Sequence, residues 1–248
     1  MPSSRLAFPS MLSRWFLVPL LLLSPPAQGA LPFTESAYYS KGARPQRVSG
    51  DARDPGVVDR LAAHSFHKEL ILFDFTPSGH WIDWAENLSR QLHHVGFDHY
   101  SAIARDERGC NELWNRTPAA SCVWSSFPDT REHAGWAQAR NSNDGLTLIR
   151  FSVLARIVAV GVNVLLIDLD CIFLRDPYPA LKAPPLSKAQ FVFMREGWLN
   201  SGLVYFQNAR RGGAALWLVQ QYIGVALFNV AAAYNETPSK RPAMWNDQ

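Results

Sequence analysis

The run from Gly161 to Pro177 constrains this chain more than any other stretch. Val164 to Ile167 is short, apolar and rich in branched residues, entered through Gly161 and Asn163, so it reads as a buried strand. Two carboxylates, Asp168 and Asp170, interrupt it where a strand should end, and Cys171 to Leu174 is expected to continue it. Alternation in an extended backbone puts positions 168 and 170 on one side and turns Leu169 into the core. A carboxylate set among aliphatics costs several kcal/mol unless something compensates it. A divalent cation is the simplest compensation, and the carboxyl end of a strand in an open α/β sheet is where such sites form.

The surrounding chain supplies the sheet. Glu69 to Thr76 reads as a strand ended by Pro77-Ser78-Gly79. Trp81, Trp84, Ala85, Leu88, Leu92 and Val95 then recur at helical spacing, and Gly96 closes the helix. A second strand is expected over 99–104, giving a βαβ unit and hence a parallel sheet. Residues 105–145 are polar and read as a long loop or insertion. A helix over about 147–160 leads into the central strand. Strands are expected at 190–194 and 203–206, with Asn200-Ser201-Gly202 between them. The apolar segment 214–233 reads as a packed helix rather than a membrane span, because Gln220, Gln221 and Asn229 interrupt it. Asp176-Pro177 reads as a chain turn, and the seven histidines, His93 and His94 among them, show no ligand spacing shared with the Asp pair.

Length and charge add bounds. The 248 residues are 48% hydrophobic, enough for one good-sized core. A net charge of +3 is too balanced to argue for nucleic acid. Arg5 and Arg14, the apolar run Trp15 to Leu23 and the small-x-small triplet Ala27-Gln28-Gly29 read as a signal peptide or short anchor over 1–29. That places the protein in the secretory pathway, with membrane association through the N-terminus if the segment is retained. Sequons at Asn87, Asn115 and Asn235 are compatible with this. Residues 30–56 read as a flexible stem and 57–248 as the folded domain. Cys110 and Cys122 either pair across a short loop or stay free, and Cys171 reads as a buried thiol.

An Asp-x-Asp at a mid-chain strand end in a secretory α/β protein points to a nucleotide-sugar glycosyltransferase. The departing nucleoside diphosphate gains negative charge, and a cation held by carboxylates stabilises it. The Gly161–Pro177 run resembles the signature G-x-x-V-L-x-x-D-x-D-V-V-W-L-R-D-P of nucleotide-diphospho-sugar transferases of glycosyltransferase family 77. Asn200-Ser-Gly-Leu-Val-Tyr-Phe206 is similar to that family's N-T/S-G-x-x-Y-F strand, and Trp245-Asn-Asp-Gln248 to its W-x-D/E-Q. The resemblance implies a GT-A-like, Rossmann-type mixed sheet flanked by helices, and a retaining transfer to a glycan or glycoprotein acceptor in the Golgi lumen, assisted by Mn2+ or Mg2+. Asp168 and Asp170 match the metal motif, with Asp170 the more direct ligand. By the same resemblance Thr76 meets the nucleotide base, and Arg150 pairs with donor phosphate or is a solvated helix residue. Asn200 and Gly202 line the sugar pocket, while Asp247 and Gln248 touch the transferred sugar or the acceptor. Cys171-Ile172 replaces the family's Val-Val. The chain's last residue, Gln248, is also the last of the third block, so a C-terminally incomplete domain is expected, and an inactive remnant is one alternative. The other is a haloacid-dehalogenase-like phosphatase, whose downstream acidic pair has no counterpart among Glu196, Glu236 and Asp247.

Overall fold

The computed structural model describes residues 37–40, 47–127, 143–196 and 198–233, to which all structural statements below are confined. The parallel strands are β1 (Ser49–Asp51), β2 (Glu69–Asp74), β3 (Tyr100–Ala104), β4 (Cys122–Trp124) and β5 (Asn163–Ile167). A hairpin follows, β6 (Phe191–Glu196) and β7 (Trp198–Phe206). The helices are α1 (Pro55–His64), α2 (His80–Val95), α3 (Glu107–Arg116), α4 (Asn143–Ala159), α5 (Tyr178–Leu181) and α6 (Ala214–Ala233). One seven-stranded sheet runs β1-β4-β3-β2-β5-β7-β6, with β7 antiparallel to both β5 and β6. This is a mixed α/β sheet flanked by helices, consistent with a GT-A-like fold.

Strand alternation explains the two layers. Leu70, Leu72, Val164 and Leu166 enter one apolar cluster with residues of α1, α4 and α6. Ile71, Phe73, Leu165 and Ile167 enter a second, against α2, α3 and α5. Strands covered on both faces have no polar side, which is why β2 and β5 read as unbroken apolar runs. Each such buried side chain stabilises the fold by about 2 kcal/mol relative to exposure.

Helix ends follow local chemistry. Pro55 opens α1 behind an Asp54 cap whose carboxylate accepts the Gly56 N–H at 2.9 Å. Gly96 ends α2 at φ 99°, where a side chain would collide with Tyr39. Trp81 and Trp84 do not lie in the core: the buried stripe of α2 runs through Ile82, Ala85, Leu88 and Leu92, leaving both indoles on its flank at 42% and 40% exposure.

Several sequence-based boundaries shift. Strand β1 lies inside the supposed stem; three residues with a central Gly50 are too few to show a period. The supposed loop from 105 contains α3, capped by Asp106, and β4, which pairs with β1 and β3. Residues 128–142 of that loop lie outside the described residues. Asn200 to Gly202 are part of β7, not a link between strands; β7 pairs with β6 from Trp198 opposite Glu196. The central strand stops at Ile167, and residues 171–174 do not extend it. Asp168, Leu169 and Asp170 form a turn instead, and Ile172 and Leu174 are 72% and 88% exposed. Helix α6 packs through Ala215, Leu216, Val219, Ile223 and Leu227, and among the described residues no helix is long and apolar enough to cross a membrane. Cys110 and Cys122 form a disulfide joining α3 to β4, and Cys171 is a free, half-buried thiol.

A buried histidine makes the fold acid-sensitive. His99, fully buried, accepts or donates at Nδ1 with Ser40 Oγ at 2.9 Å and meets Tyr178 Oη at 3.3 Å through Nε2. Burial, reinforced by His64 and His67, depresses its pKa from 6.5 to about 3. Between those values the unfolded chain binds a proton that the native state refuses, so stability falls as pH drops through 6.5. Lowering the pH from 7 to 5 should remove about 2 kcal/mol through this group. Urea midpoints measured at both pH values should show that loss shrinking in His99→Gln; an unchanged pH slope would refute the assignment.

Candidate active site

The strand order reverses direction at β2 and β5: β2 feeds β3 on one side, while its other neighbour is β5. Crevices at such switch points, beyond the carboxyl ends of the strands, are where open α/β sheets bind ligands. The paired residues Phe73 and Ile167 are the last in register, so the next positions, Asp74 and Asp168, stand side by side at that edge. Alternation aims both toward α4, along with Leu70, Leu72, Val164 and Leu166.

Arg150 meets them from α4. Its Nη1 lies 2.8 Å from Asp168 Oδ1 and 3.0 Å from Asp74 Oδ1. The arginine side chain is 8% exposed, that of Asp74 14% and that of Asp168 42%, so the cluster grades from buried to open across a single guanidinium. Burial raises the Asp74 pKa and the Asp168 charge adds to that, while Arg150 pulls the other way. Arg150 is therefore neither a solvated helix residue nor uncommitted; it is tied to two carboxylates. Asp74 was missed in the sequence because it looks like an ordinary polar strand end, although alternation from Leu70 would have placed it toward α4.

The turn after β5 is fixed by β7. The Gly202 carbonyl accepts the Asp168 N–H at 2.8 Å and the Cys171 Sγ–H at 3.3 Å, and the Asp168 carbonyl accepts the Cys171 N–H at 3.2 Å. Burial, with Asp168 and Asp170 nearby, raises the Cys171 pKa, keeping it a thiol donor. Asp170 sits on the exposed corner of this turn. Turning, rather than extension, is thus what brings it forward beside Asp168. Thr76 lies two residues past β2 at the same edge, half-buried, its carbonyl accepting the Ser78 N–H at 2.8 Å. Asn200 occupies β7 opposite Met194. Asp247 and Gln248 lie outside the described residues. Asp176 makes the expected turn, accepting the Tyr178 N–H at 2.9 Å.

A family model described as nucleotide-diphospho-sugar transferase matches residues 95–229, more than half of the chain. The chain belongs to that family. Searches of curated proteins and of solved structures returned no match. The matched region of this nucleotide-diphospho-sugar transferase contains α4, β5, the Asp168–Asp170 turn and β7, while β2, with Asp74 and Thr76, precedes it. Membership carries the glycosyltransferase reading and gives the phosphatase alternative no support.

The carboxylates also meet the chemical requirements of a divalent cation. Asp168 and Asp170 offer oxygen donors, which Mg2+ and Mn2+ prefer. Among the described residues no group of three or more His, Cys, Asp or Glu is gathered to cage a metal. The pair fits a cation shared with a substrate diphosphate, which completes the coordination shell where the protein gives one or two carboxylates.

Proposed function

We propose that this transferase, a member of the family 77 lineage, moves a sugar with retention from a nucleotide-diphosphate donor to a glycan or glycoprotein acceptor in the Golgi lumen. The observation that carries the reading is the exposed Asp168–Asp170 turn at the switch point of the sheet, in a chain of this family. Asp168 and Asp170 would hold Mn2+ or Mg2+, which when bound stabilises charge on the departing diphosphate. Arg150 holds Asp168 in place at the same edge. Gly202 fixes the turn through its carbonyl, and with Asn200 it is assigned to the sugar pocket on the family resemblance. Thr76, at the end of β2, is positioned for the nucleotide base, and Asp247 and Gln248 are assigned to the transferred sugar or acceptor on the family resemblance.

The test is donor turnover. The purified full chain, incubated with a panel of nucleotide sugars and Mn2+, should hydrolyse or transfer from one donor, and EDTA should stop it. Absence of turnover across the panel, together with no metal-dependent nucleotide binding, would overturn the reading.

A further inference from the structure

The cluster at the switch point contains a carboxylate that neither the sequence motif nor the metal reading uses. Asp74 and Asp168 share one nitrogen of Arg150, at 3.0 and 2.8 Å, yet Asp74 is the deeper of the two, at 14% against 42% side-chain exposure. Their strands are hydrogen-bonded neighbours, so neither carboxylate can withdraw from Arg150 without a side-chain rotation. Asp168 and Asp170 together carry two negative charges, the right complement for a divalent ion. If Arg150 were compensated by Asp168 alone, one of those charges would be cancelled before any metal arrived.

Resting on the metal reading proposed above, we infer that Asp74 is a positioning residue for the cation site: it compensates Arg150 so that Asp168 stays available. The buried pair Asp74–Arg150 sums to zero, and the turn keeps its full double charge. Arg150 then serves as a fixed support on which Asp168 rests, not as its permanent counter-ion. In Asp74→Asn the guanidinium turns its whole charge on Asp168 and repels an incoming cation. The same carboxylate one methylene longer, in Asp74→Glu, still compensates Arg150.

Mn2+ binding to the full chain, read by the electron paramagnetic resonance signal of the free ion with no donor present, tests this apart from activity. Asp74→Asn should weaken Mn2+ binding about 10–100-fold, the range found when groups behind metal ligands are removed. Asp74→Glu should return it to within about threefold of wild type, and Asp74→Asn/Arg150→Gln, which removes the cation with its partner, should bind Mn2+ more tightly than Asp74→Asn alone. Melting curves on each variant establish that it is folded; should Asp74→Asn not fold, Asp74→Glu must bind Mn2+ within about threefold of wild type and the double variant, with no uncompensated charge, must still bind it. Unchanged binding in Asp74→Asn, or a double variant as weak as the single, would overturn the inference and leave the metal reading standing. A wild-type chain that binds no Mn2+ would overturn both.

Discussion

Asp170→Ala is expected to lower donor turnover about 10²–10³-fold, the scale on which loss of one group stabilising transition-state charge is felt. The fold should hardly notice. Asp170 stands on the exposed corner of the turn, and the hydrogen bonds that fix the turn run through the Asp168 backbone, Cys171 and the Gly202 carbonyl. Thermal midpoints of the two chains should therefore agree, and the loss should fall on kcat and on the Mn2+ concentration needed for half activity. Turnover equal to wild type would remove Asp170 from the chemistry.

Arg150→Gln should cost stability as well as activity. It strands Asp74, 14% exposed, without the guanidinium that compensates it, and breaking a buried ion pair in this way costs about 3–5 kcal/mol. A loss under about 1 kcal/mol in urea unfolding would instead mark the pair as an ordinary surface bridge. The sign of the pH dependence is a second check. Burial already raises the Asp74 pKa, and without Arg150 it must rise further. The native variant then takes up a proton at higher pH than its unfolded chain does. Its deficit relative to wild type should accordingly be largest near neutrality and shrink on acidification. Adding Asp74→Asn should restore most of the stability, since no charge is left buried alone.

The central part of the site could be read from residues because a single strand carries it. Four branched aliphatics followed by Asp-x-Asp make a local signal, and the helix before it and the strand after it have their own periods. What the sequence hid is what depends on partners. Asp74 gains meaning only when β2 lies beside β5 and α4 crosses above both. Strand β4 has three residues, and its burial comes from β1 and β3 rather than from a pattern of its own. The turn at Asp168 replaces the expected continuation because β7 offers a carbonyl there, and no local rule foresees a partner 34 residues downstream, at Gly202. Trp81 and Trp84 show the limit of spacing arguments: helical recurrence identified α2, but not which side of the stripe meets the sheet.

The position of β5 has a consequence for how the molecule is made. It is laid between β2, whose first paired residue lies 94 positions earlier, and β7, synthesised after it. The sheet centre therefore closes through long chain segments, the kind of pairing that slows folding. Until β5 inserts, β2 has no neighbour on that side, Arg150 has no Asp168 to hold, and the Gly202 carbonyl has no turn to receive. Assembly of the catalytic edge and closure of the sheet are thus one event, so no partly folded form of the chain can present a finished site.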